Sequence, residues 1–297
     1  MPNLSIKSQG AVEYLITHAW AILIIVIVIA VLATLGLFSA NNQPTIPPGS
    51  CQVQRPYGPG TTQQISMVGN CNNGIPKFVA LWGNSGGSIS GNFISSATWN
   101  SGFTIAVWVD YMAVPTGWPD IGGIYSQPGD YAYFDVNSNN GNLDPYVEYW
   151  PDGCCSGNGG GAGVTHAVSL NRWYFLTGTW NPNLATSNVR MYVNGAFNSS
   201  ATITQTVNGP INPEFVIGNS GAGYVANLQI YDTALSPNDI QSLYADGIGG
   251  TPIDIYHLVG WWPLNGNGND YSGNGDNAQT ISTVTWSSSW INTYSAP

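Results

Sequence analysis

Residue types able to carry chemistry are sparse in this chain of 297 residues: 15 Asp and Glu, 5 Lys and Arg, and 3 His. Beyond an apolar N-terminal stretch the only glutamates are Glu148 and Glu214. They lie far apart, and no E-x-D-x-x-E cluster supplies the closely spaced nucleophile and acid that glycoside cleavage needs. His166 and His257 have no Ser or Cys beside them in a nucleophile setting. The Gly-rich run 157–163 lacks the Lys-Ser/Thr that completes a phosphate cradle. The chain is therefore not expected to be an enzyme, and binding chemistry remains. Asp270 and Asn269, within NDYSGNGDN, are hard oxygen donors of the kind calcium takes. The same residues equally suit a tight turn held by local side-chain hydrogen bonds. Trp118, Tyr125, Tyr131, Tyr133 and Trp150 fall in loop-rich stretches where an exposed ring would stack on a sugar, although most aromatics of a β sandwich belong to its core.

The four cysteines, Cys51, Cys71, Cys154 and Cys155, come without a CxxC pair or a His cluster, so disulfides are expected rather than zinc. Three connectivities are open. Cys51–Cys71 is favoured; it closes a loop of about 20 residues and would contribute roughly 3 kcal/mol. Cys154 and Cys155 would then form a vicinal bond or stay as thiols; the alternative ties each of them to Cys51 or Cys71.

These groups sit on a chain with two distinct parts. Residues 9–39 run QGAVEYLITHAWAILIIVIVIAVLATLGLFS, with Glu13 as the one acid and no further charge until Arg55. The last part of this run has the ~20 apolar residues of a bilayer-spanning helix. Residues 40–50 are a Pro-rich linker that stops the helix and spaces it from the rest of the chain. Residues 51–297 form a Gly/Asn/Ser/Thr-rich head whose abundant Trp and Tyr suffice for a core. Only 7% of the chain is charged, against the usual ~25%, and the net charge is −10. That balance excludes nucleic acid, since no basic patch exists to neutralise phosphate.

Short strands are expected at residues 78–82, 103–109, 173–180, 189–193, 214–217 and 224–231. Asn194-Gly195 reads as a hairpin turn. A helix is expected after Ser236-Pro237-Asn238-Asp239, with Ile240, Leu243 and Tyr244 on its apolar face and Gly247 as its stop. The fold class is mainly β, a sandwich. Asn198-Ser199-Ser200 is an N-glycosylation acceptor just past the hairpin turn.

The two parts carry separate resemblances. Residues 9–15, QGAVEYL, with Lys7 ahead and the apolar run behind, resemble the class III signal peptide of archaeal type IV prepilins. That resemblance implies a leader over residues 1–8, cut between Ser8 and Gln9 by a prepilin peptidase, and membrane insertion before assembly. It further implies a helical homopolymer whose axial register is set by Glu13 against the N-terminal amine of a neighbouring copy. The segments GFTIAVWV (102–109), NRWYFLTGTW (171–180), VRMYVNG (189–195), VANLQIYDTALSPNDIQSLY (225–244) and GWWPLNGNGNDYSGNGDNA (260–278) resemble the laminin G-like, concanavalin A-like jelly-roll family. This second resemblance implies a jelly-roll head, calcium at Asp270 and Asn269, and glycan contacts at Trp118, Tyr131 and Trp150. The WPLNG segment ordinarily opens such a domain and here closes it, and Ala226-Asn227 stand where the family often has an acidic pair. Together they imply a pilus-like surface filament with an adhesive head. The alternative is a membrane-anchored glycan-binding protein.

Overall fold

The computed structural model describes residues 18–21, 23–28, 51–54, 62–65, 71–72, 75–83, 87–93, 99–114, 122–125, 131–137, 143–150, 160–163, 168–204, 214–218 and 222–297. The chain divides into two units, Met1–Ile46 and Pro47–Pro297. In the first, the described residues 18–21 and 23–28 are helical. A helix over the whole of 9–39 is thus not supported. Among the described residues no helix is long and apolar enough to cross a membrane. Every side chain from Leu23 to Val28 is exposed on this stretch.

The second unit is the expected β sandwich. Its seven-stranded antiparallel sheet runs, edge to edge, through Gly160–Gly163, Asp144–Trp150, Tyr131–Asn137, Gly122–Tyr125, Glu214–Ile217, Ser88–Asn92 and Thr280–Ser282. The eight-stranded sheet runs through Ala196–Ala201, Val189–Val193, Trp173–Trp180, Phe103–Ala113, Ala222–Tyr231, Val79–Trp82 and Val284–Ser287, with Leu258–Trp262 also pairing to Ala222–Tyr231. Strands near the C-terminal end lie against early ones: Val284–Ser287 against Val79–Trp82, and Thr280–Ser282 against Ser88–Asn92, while the start of the 260–278 segment pairs with Ala222–Tyr231.

Two apolar layers hold the sheets. Between them, Ile105, Val107, Val109 and Leu176 meet Ile89, Ile124, Val147, Tyr149 and Phe215. On the other face of the eight-stranded sheet, Trp108, Trp173, Phe175, Tyr192 and Tyr224 are covered by Ile240 and Leu243 of a helix and by Trp290 near the C-terminus. All eight residues of Trp173–Trp180 are consequently buried. Truncating one such core ring to Ala costs on the order of 3–5 kcal/mol.

Local chemistry sets the turns. Asn194 and Gly195 both adopt positive φ (51° and 76°), the pairing that a two-residue hairpin turn requires. The Asn194 side chain also accepts from the Phe175 N–H at 2.9 Å, tying the turn to the neighbouring strand. The helix spans Pro237–Ala245; Ser236 Oγ accepts from the Asp239 N–H while the Asp239 carboxylate accepts from the Ser236 N–H, a capping box. Gly247, at φ 77°, follows its end.

One charge lies in the outer apolar layer. Asp110 is fully buried on Phe103–Ala113; its Oδ2 accepts from Thr293 Oγ1 at 2.5 Å, and its Oδ1 has no hydrogen-bond partner among the described residues. Burial pushes this carboxyl above its ordinary range, against the lowering effect of the Thr293 side chain and the Arg172 backbone. The folded state thus holds the proton more tightly than the unfolded chain. The stability linked to this group is full below the ordinary carboxylate range and lost as pH rises through the raised value. Asp110→Asn is accordingly expected to match or exceed the parent in stability near neutral pH. Its urea midpoint should also fall less than the parent's between about pH 4 and pH 7. Urea unfolding of both proteins across that range checks it.

Candidate functional site

The site is built on the strand Asp144–Trp150. Its alternation is strict: Pro145, Val147 and Tyr149 are buried toward the core, while Asp144, Tyr146, Glu148 and Trp150 are half-buried on the outer face of the seven-stranded sheet. Trp150 Nε1 donates to Glu148 Oε2 at 2.7 Å, which fixes the indole beside the carboxylate. Burial raises the Tyr146 phenol above its usual pKa, and the charge of Glu148 raises it further. An aromatic plane, a charged acceptor and a phenol thus share one patch.

Backbone register aligns further positions with this strand across the sheet. Trp150 stands opposite Tyr131, Tyr131 opposite Tyr125, Tyr125 opposite Glu214 and Glu214 opposite Asn92. Glu148 stands opposite Tyr133 on one side and Gly161 on the other, and Tyr146 opposite Gly163. The glycines of the edge strand bring no side chain beside Glu148 or Tyr146, so among the described residues no side chain of that strand covers the patch. A flat, hydroxylated ligand suits such a surface: the ring supplies dispersion, and the carboxylate accepts hydroxyl hydrogens.

Other expected site residues distribute differently. Of the glycan candidates, Trp150 is in the patch. Tyr131 and Tyr125 lie in register with it, Tyr133 occupies the adjacent row, and Trp118 lies outside the described residues. Tyr146 and Glu148 were missed as binding residues, although the D-x-Y-x-E-x-W alternation of 144–150 is their signal. Glu148 and Glu214 stand three strands apart, about 14 Å at the usual strand spacing. Paired glycosidase carboxyls are roughly 5–9.5 Å apart.

Asp270 is a structural hub. Its Oδ1 accepts from the N–H groups of Trp261 (2.9 Å) and Ser272 (2.8 Å). Its Oδ2 accepts from Ser272 Oγ (2.7 Å) and from the N–H groups of Gly275 and Asp276 (3.0 Å each). A carboxylate offers about four lone-pair sites, so these donors occupy the capacity that a calcium ion would need. Asn269 takes part in the turn through its N–H, which donates to Asn267 Oδ1. Among the described residues no group of three or more His, Cys, Asp or Glu is placed to hold a metal. His257 Nδ1 pairs with Asp232 at 2.9 Å on the surface. Asn227 is buried and accepts from Trp261 Nε1 at 2.7 Å.

Asn198 is exposed on the edge strand Ala196–Ala201. His166, Ser8, Gln9, Glu13, Cys154 and Cys155 lie outside the described residues. Of Cys51 and Cys71 only the backbone is described: each opens a short strand, Cys51 opposite Ile65 and Cys71 opposite Pro76.

Comparison with known proteins gives this architecture a family. Among solved structures, the chain is similar to a heptameric pentraxin from Limulus polyphemus (16% identity, TM-score 0.44, 73% of this chain and 91% of that one). It is similar also to a Bacteroides ovatus protein described as carbohydrate-binding (17%, TM-score 0.48, 71% and 60%) and to the Trypanosoma rangeli sialidase (20%, TM-score 0.38, 51% and 24%). The chain thus spans under two thirds of the Bacteroides protein and a quarter of the sialidase, and at these scores the likenesses extend no argument about activity. No curated protein matches the chain. A family model does: residues 83–241 fit the laminin G-like group of the concanavalin A-like lectin/glucanases superfamily, and with more than half of its length matched the chain belongs to that superfamily.

Proposed function

We propose that the head binds glycans on the outer face of its seven-stranded sheet, without catalysis and without a metal, as the exposed part of a surface-anchored protein. The observation that carries this reading is the Trp150–Glu148 hydrogen bond. It holds an aromatic ring and a carboxylate side by side on the solvent face of a sheet whose neighbouring edge positions are glycine. Membership of a superfamily that includes lectins supports it, as does a chain whose polarity comes from Asn, Ser, Thr and Gly rather than charge. Trp150 would stack on the sugar, Glu148 and Tyr146 would contact hydroxyls, and the row through Tyr131 and Tyr125 would lengthen the site across strands.

A second reading concerns the N-terminal unit. The side chains from Leu23 to Val28 are all exposed on their helical stretch, and an apolar surface of this kind calls for lipid or other helices. With the QGAVEYL motif ahead of it, this favours a segment that anchors the precursor and then packs in a pilin-like filament. There Glu13 would set the register between copies.

On a glycan array followed by calorimetry, the full chain in detergent is expected to bind selected oligosaccharides equally with calcium or with chelator. Trp150→Ala should weaken binding roughly tenfold or more, about 1.4 kcal/mol per decade, with little loss of stability. Unchanged binding in Trp150→Ala sinks the site, and release of cleaved sugar sinks the non-catalytic reading. For the second reading, protein from cell-surface material is expected to begin at Gln9 and to sediment as filaments that Glu13→Ala abolishes. An intact Met1 in a detergent-soluble fraction would overturn it.

A further inference from the structure

The edge of the eight-stranded sheet carries a feature that glycan binding does not use. Strand Ala196–Ala201, sequence AFNSSA, is the outermost strand on its side and pairs only with Val189–Val193 among the described residues. Of the usual protections of an edge it lacks charge and Pro, with Gly160–Gly163 and the helix Pro237–Ala245 lying near it. Phe197 on it is 57% exposed. Its register shifts once. Met191 stands opposite Ser199 and Tyr192 opposite Phe197, so Asn198 is the extra residue of a β-bulge, with no cross-strand partner. Ser199 and Ala201 are turned partly inward, whereas Asn198 and Ser200 are exposed.

These are the two residues that an N-x-S acceptor uses. The bulge lifts the Asn198 amide out of the ladder, where attaching a sugar disturbs no cross-strand pair. We infer that Asn198 is N-glycosylated and that the attached glycan is the edge strand's protection against pairing with a second copy of the chain. The donor class is an oligosaccharide on a lipid phosphate or diphosphate. The Asn198 amide nitrogen bonds to the anomeric carbon, the bond from that carbon to the phosphate oxygen breaks, the lipid phosphate leaves, and the nitrogen gives up one proton. Net oxidation state is unchanged. A chain with 7% charged residues gains from this one group the hydration that edge lysines supply elsewhere. The inference rests on the head being exported, as the proposed function has it.

The test uses the full chain from the envelope of the cells that make it, with peptide mass spectrometry across residues 196–201, surface protease accessibility and gel filtration. A hexose- or hexosamine-bearing mass on Asn198 is expected. Asn198→Gln and Ser200→Ala should both lose it, the second while keeping the asparagine. Both variants should unfold at the parent's temperature and elute as larger assemblies. An unmodified Asn198 in surface-accessible protein overturns the modification and leaves export standing; an unmodified, protease-inaccessible protein overturns both. Modified parent with variants that elute as the parent does overturns the shielding role.

Discussion

Strands Phe103–Ala113 and Trp173–Trp180 carry apolar and aromatic side chains on both faces, so the sheet they centre must be covered twice. One cover is the seven-stranded sheet; the other is the helix Pro237–Ala245 with the residues around Trp290. This constraint distributes everything else. With one sheet enclosed on both sides, the outer side of the other sheet is the broad face not covered by a second layer among the described residues, and Trp150, Glu148 and Tyr146 lie on it, half-buried. The enclosed sheet also imposes the two oddities of the second layer: a buried carboxylate at Asp110, and a polar network in which Asn227 and Gln229 satisfy one another, Trp261 and the Gly250 carbonyl.

Much of this architecture was legible wherever the signal is local. Trp173–Trp180 is an unbroken apolar and aromatic run because both its faces are covered. The Asn194-Gly195 turn is written in the two residues that tolerate positive φ, and the helix in the Ser236/Asp239 box with Pro237. Ser88–Asn92 and Thr280–Ser282 left no such trace. They are short and polar, and their strand character is conferred by partners nearly two hundred positions away. In the N-terminal segment, composition suggests one helix over 9–39, and helix is described at residues 18–21 and 23–28, the rest lying outside the described residues.

The candidate site was half legible. The alternation of 144–150 is plain in the sequence, yet nothing local says which of its two faces meets the core; the opposing sheet decides that. Asp270 is the opposite case. An aspartate among Asn and Gly looks the same whether it binds a cation or collects N–H groups. The answer depends on Trp261, nine residues earlier in the chain, and on Gly275 and Asp276 folding back onto one carboxylate.

The pairing of Val284–Ser287 with Val79–Trp82 has a temporal consequence. Trp290 Nε1 donates to the Lys77 carbonyl across 213 positions, and the same indole helps roof the second apolar layer. The sandwich therefore closes only once residues 284–290 are in place. Strand Val79–Trp82 gains its partners only late, Ala222–Tyr231 on one side and Val284–Ser287 on the other. Contacts of such sequence separation make for slow folding.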